Sequence, residues 1–105
     1  MKKAQRIALC KVGDIEVNGI KQVDAAGKSV CVLNGGGRFF ACQATCPHED
    51  YPLCDAVFDG ETLTCLEHLW QWSLPEGGDP RGLAESRLEM YPVEVEDGTV
   101  YMKTE

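Results

Sequence analysis

Cys46-Pro47-His48 and, after a gap of 16 residues, Cys65-Leu66-Glu67-His68 are the stretches on which the reading of this chain turns. Each offers one soft thiolate and one imidazole close enough in sequence to point at one site. Pro47 stiffens the first pair by fixing φ between the two donors. His48 and His68 are the only histidines, and each sits just after a cysteine. Two cysteines and two histidines suit tetrahedral zinc, so a zinc-binding interaction module is one reading. Zinc fingers, however, pair cysteine with cysteine and histidine with histidine, with wider gaps. A mixed pair in both loops suits instead a [2Fe–2S] cluster held unequally, thiolates on one iron and imidazoles on the other.

On either side of these loops the chain is written in short β-type runs broken by turn residues, as in an all-β domain. Residues 6–9 and 19–23 are strand candidates, the second ended by Gly27. Ser29-Val30-Cys31-Val32-Leu33 is a strong strand, Asn34-Gly35-Gly36-Gly37 a turn, and Arg38-Phe39-Phe40-Ala41-Cys42 the returning partner. This half predicts a meander. Near the C-terminus, residues 91–96 and 99–103 alternate with period two around Asp97-Gly98, a strong hairpin signal. Pro92 lacks an amide donor, so it belongs at a strand start or on an edge. No window shows a helical period, and residues 85–90 allow one short turn at most. The middle carries a small sheet of its own: a hairpin over 57–64 around Asp59-Gly60, and a third strand within 69–74. The expectation is a single all-β domain over 1–105. It is a β sandwich or barrel with a small cluster-binding subdomain inserted at about 44–76.

The chain has 105 residues and a net charge of −7. An acidic surface repels phosphate backbones and excludes nucleic acid as a natural partner. No run approaches the roughly 20 apolar residues that cross a membrane. The basic start is followed only by Ile7-Ala8-Leu9-Cys10 before Lys11, too short for a signal peptide. A cytoplasmic chain is expected. In that reducing compartment the six cysteines favour metal binding or catalysis over disulfides. Cys31 and Cys42 lie in predicted strands and read as core, Cys10 as packing, and Cys54 has no matching partner position.

From Lys11-Val12-Gly13-Asp14 through Phe39-Phe40-Ala41 to Tyr91-Pro92-Val93-Glu94-Val95-Glu96-Asp97-Gly98, together with the two Cys/His loops, the chain resembles the small soluble Rieske ferredoxins. The resemblance implies one Rieske [2Fe–2S] cluster, with Cys46 and Cys65 on the buried iron and His48 and His68 on the outer iron near the surface. It implies a proline-containing third loop over the cluster, for which Gly78-Asp79-Pro80-Arg81-Gly82 is the candidate. High-potential respiratory relatives add a cysteine to each loop to form a disulfide. Tyr51 and Glu67 stand in those places here. Those relatives also follow the second histidine with Gly-Ser, where this chain has Leu69-Trp70. Fewer donors to the cluster sulfurs lower the potential, toward the negative end of the roughly −150 to +300 mV Rieske span. Many relatives place a glycine after the first histidine, whereas Glu49-Asp50 follow His48 here.

Trp70 and Trp72 alternate with His68, either as apolar packing or, for Trp70, as a contact at the cluster edge that shapes docking. Tyr51 is a second candidate for that edge. Cys65-Leu66-Glu67-His68-Leu69-Trp70 is similar to the ferredoxins of toluene-type diiron monooxygenases. The implied role is one-electron carriage from an NADH-dependent flavin reductase to a terminal hydroxylase, not catalysis by the chain itself. The ferredoxin of an aromatic-ring dioxygenase and a nitrite-reductase small subunit are the neighbouring alternatives.

Overall fold

Val30-Cys31-Val32-Leu33 is an unbroken apolar run, and the structure, a computed structural model, buries all four side chains completely. Residues 6–25, 27–45, 52–53, 56–65, 71–74 and 88–103 are described. The run lies in β3 (Lys28–Asn34), a strand covered on both faces. Val30 and Val32 point into one core with Leu9, Ile15, Val100 and Met102. Cys31 and Leu33 point into a second core with Phe58, Leu63 and Trp72. The neighbouring β4 (Phe39–Gln43) divides in the same way, Ala41 to the first core and Phe40 and Cys42 to the second. Side chains alternate across a strand, so a strand between two cores must be apolar at every position.

Among the described residues three antiparallel sheets build these cores. The first has the order β1-β10-β9, from β1 (Arg6–Lys11), β9 (Val93–Glu96) and β10 (Thr99–Lys103). The second runs β2-β3-β4-β8, with β2 (Ile20–Ala25) and β8 (Met90–Tyr91) on its edges. The third is β5 (Val57–Phe58), β6 (Thr62–Thr64) and β7 (Gln71–Ser73). Among the described residues there is no α-helix, and 3-10 conformation occurs at Val12–Asp14 and at Leu53. The all-β expectation and the separate small sheet of the middle segment both hold.

Two expectations need correction. The meander holds for β2-β3-β4, but β1 leaves it and pairs with β10, Arg6 opposite Lys103. The Val30/Val32 face needs a cover, and Leu9 with Val100 and Met102 supplies it only if the two chain ends join in one sheet. Residues 91–96 are also not one strand. Met90–Tyr91 pairs with β4, whereas Val93–Glu96 pairs with β10. The switch falls at Pro92, which has no N–H for either ladder, while its carbonyl accepts the Lys103 amide at 2.9 Å. Pro92 thus precedes an edge strand, as its chemistry requires. Asp97 and Gly98 both take positive φ, 52° and 78°, the requirement of the two-residue hairpin turn.

Candidate metal centre

β4 ends at Gln43, and two residues later the chain is pinched. Thr45 pairs with Pro52 in an isolated antiparallel bridge, and the Leu53 amide donates to the Ala44 carbonyl at 2.8 Å. That closure brackets positions 46–51. The second closure is the β6–β7 pairing, in which Thr62, Leu63 and Thr64 face Ser73, Trp72 and Gln71. The Gln71 side-chain amide adds a bond to the Thr64 hydroxyl at 3.4 Å. That pairing brackets positions 65–70. Each Cys/His pair of the sequence therefore falls inside a six-position connection closed at its base by antiparallel pairing.

Both bases stand on one core. Ala44 and Leu53 below the first connection, and Leu63, Cys65, Trp72 and Leu74 below the second, are buried in the same cluster as Cys31 and Leu33. The β5–β6 turn is set by Asp59, whose carboxylate accepts the Glu61 and Thr62 amides at 3.0 and 2.8 Å. Those bonds hold its carboxyl below the ordinary range. The Leu74 amide closes the far side of β7 onto the Glu61 carbonyl at 2.8 Å.

Cys65 is fully buried at the end of β6. The other predicted ligands, Cys46, His48 and His68, lie outside the described residues, as do Tyr51, Trp70, Pro80 and Cys54. Among the described residues no group of three or more His, Cys, Asp or Glu could hold a metal ion. The donor chemistry of the two bracketed segments, two thiols and two imidazoles, fits an unequally held [2Fe–2S] cluster.

The remaining cysteines behave as packing. Cys31 and Cys42 are fully buried, and burial pushes the Cys42 thiol far up. Cys10 is half-buried against the first core, with its thiol also raised, mainly by burial. Trp72 is buried completely, which settles its packing role. The sequence pattern gave no sign of Gln43, whose side chain binds the Thr45 carbonyl and the Glu89 amide at 2.8 and 2.7 Å. A polar residue at a strand end ordinarily reads as solvated. Charge is distributed unevenly as well. Residues 44–76 contain seven acidic residues, from Glu49 to Glu76, and no lysine or arginine, so the whole net charge of −7 resides there.

The Rieske [2Fe-2S] domain family matches residues 5–92. The chain is 38% identical over 91 residues to the methanesulfonate monooxygenase ferredoxin subunit of Methylosulfonomonas methylovora, covering 86% of this chain and 73% of that one. It is 31% identical over 100 residues to the ferredoxin component of the alkene monooxygenase system of Xanthobacter autotrophicus, covering 94% and 81%. Among solved structures, a chain of the complex of reduced oxygenase and oxidized ferredoxin in carbazole 1,9a-dioxygenase superposes with a TM-score of 0.85 at 26% identity. That match covers 95% of this chain and 94% of the other. The Sphingomonas yanoikuyae B1 ferredoxin shares the fold, with a TM-score of 0.86 over 96% of this chain and 100% of its own at 24% identity.

Proposed function

The chain belongs to the Rieske [2Fe–2S] domain family and holds a Rieske-type [2Fe–2S] cluster, and from that premise we propose that Cys46 and Cys65 ligate one iron and His48 and His68 the other. The observation that carries this assignment is the pair of matched connections, 46–51 and 65–70, each closed by antiparallel pairing and both founded on one core. The full burial of Cys65 supports its place on the inner iron.

The proposed function is one-electron carriage. The cluster supplies the redox chemistry, and the chain holds it, sets its potential and presents its edge to partners. Electrons enter from an NADH-dependent flavin reductase and leave to the hydroxylase of a multicomponent monooxygenase of the toluene type, in the cytoplasm. The two relatives that belong to monooxygenase systems support a monooxygenase partner. The likeness to the carbazole 1,9a-dioxygenase complex favours the second reading, delivery to an aromatic-ring dioxygenase. Residues 1–105 form one domain in this reading, with the cluster subdomain inserted at about 44–76. Trp70 and Tyr51 flank the docking edge, Pro80 belongs to a covering loop, and the seven acidic residues of 44–76 speed encounter with basic partner surfaces.

The test is the visible and EPR spectrum of purified protein and its cysteine variants. Cys46→Ser and Cys65→Ser should lose the normal cluster, because an oxygen donor replaces a thiolate on iron. Cys54→Ser should keep it, and bleaching of that variant would overturn the ligand assignment. Trp70→Ala should slow electron delivery to the terminal oxygenase more than it shifts the potential. Comparing delivery to a monooxygenase hydroxylase and to a ring dioxygenase separates the two partner readings.

A further inference from the structure

Gln43 is the last residue of β4, and its amide group is used at both ends. Its backbone N–H donates to the Glu89 carbonyl at 3.0 Å, and its side-chain oxygen accepts the Glu89 N–H at 2.7 Å. The side chain thus copies a backbone partner and adds one rung to the β4–β8 ladder beyond the Cys42–Met90 pair. The other end of the amide, Nε2, donates to the Thr45 carbonyl at 2.8 Å. That carbonyl is half of the planar peptide that joins Thr45 to Cys46, so holding it fixes the peptide plane from which Cys46 departs. Glu89 stands just beyond positions 75–87, the segment that contains Pro80. One rigid side-chain amide therefore ties the start of the first Cys/His connection to the end of the proline-containing segment.

We propose that Gln43 is a positioning residue for the first ligand loop, acting through the Thr45 carbonyl. The inference rests on the reading of Cys46 as a ligand. A glutamine does this because it presents a donor and an acceptor in one plane at fixed separation. A glutamate retains the acceptor toward Glu89 but turns a second acceptor on the Thr45 carbonyl. A methionine fills the same space with neither bond and adds no charge.

The experiment compares loaded parent, Gln43→Met, Gln43→Glu and the control Ser29→Ala. The control removes a hydrogen bond of similar length, Ser29 to Asp24 at 2.9 Å across the β2–β3 pair, one residue from the Val30 that faces Gln43 but touching neither Thr45 nor Glu89. Two quantities are read: the rate of cluster loss to an iron chelator and the principal g-values of the reduced cluster. Loss of the Thr45 bond, common to both Gln43 variants, predicts cluster loss roughly 3- to 10-fold faster in each. Shifted g-values should accompany it, and Ser29→Ala should match the parent in both. Parental rate and g-values in Gln43→Glu would overturn the proposal, since that variant lacks the Thr45 bond alone. If Gln43→Met folds but takes up no cluster, the amide is required for loading, and Gln43→Glu still decides which of its two bonds matters. Cys46→Ser in parallel reports on the ligand reading separately: a normal cluster there removes the premise, whatever Gln43 does.

Discussion

Cys31 and Cys42 stand directly opposite each other across the β3–β4 ladder, both without solvent exposure and both in the core that also buries Cys65. Burial, with Cys31 alongside, raises the Cys42 thiol well above its ordinary value of 9.0. The folded chain keeps a proton that the unfolded chain releases. This contribution is whole below the unfolded thiol value and is lost as pH climbs past it, at up to about 1.4 kcal/mol per pH unit. Cys42→Ala removes the titration. The stability gap between parent and variant in denaturant should therefore narrow between about pH 8 and about pH 10. A constant gap would mean that the thiol ionises in place.

Asn34 is the one buried polar side chain among the described residues, and it uses both ends of its amide. Nδ2 donates to the Ile15 carbonyl at 2.8 Å, and Oδ1 accepts the Gly36 amide at 2.9 Å. It pins the segment before β2 against the β3–β4 turn. Asn34→Ala leaves both backbone partners unmet and should cost roughly 1–3 kcal/mol of unfolding free energy. The visible spectrum should not change, because β4 runs away from this turn and the first Cys/His connection follows only beyond its other end.

Why some of this was readable and some was not follows from the range of each signal. The Asp59-Gly60 and Asp97-Gly98 turns and the apolar run of β3 are local, and each held; the Cys/His spacing is local too, and the family it pointed to is the one that matches residues 5–92. The partner of β1 is not local: Arg6 meets Lys103, and alternation reports which face of a strand is apolar but not which strand lies beside it. Tyr91, Val93 and Val95 keep one period through Pro92, so the change of sheet there leaves no trace in the pattern. The Gln43 side chain is held from one side by the Glu89 amide, 46 residues away, and that distance hides the tie from any reading of a short window.

Gly35 marks a close approach between two turns. A Cβ at this position would lie 3.1 Å from the Gly60 carbonyl, 3.3 Å from that of Arg38 and 3.0 Å from the Phe40 ring. Two of these neighbours are backbone and cannot step aside cheaply. Gly35→Ala should destabilise by about 1–3 kcal/mol, the usual cost of overpacking. Gly13→Ala, where a Cβ meets nothing within 4 Å, should show none of this penalty. Equal unfolding midpoints for the two variants would show that the β3–β4 and β5–β6 turns part without cost.

The β5–β6 turn that leads into Cys65 should carry its own acid sensitivity. Asp59 accepts the Thr62 and Glu61 amides, and those bonds hold its carboxyl below the ordinary 3.8. A lowered folded value means that the unfolded chain takes up the proton first. The stabilisation is therefore complete above the ordinary value and disappears as pH falls through the lowered one. Asp59→Asn keeps an oxygen that accepts the same amides but has no proton to gain. Its unfolding midpoint should be close to the parent's at neutral pH and fall less steeply in acid. Asp59→Ala, which has no acceptor, should be weaker than both at neutral pH. Parallel acid curves for the parent and Asp59→Asn would show that the turn is held by its backbone geometry, with the carboxylate charge contributing nothing.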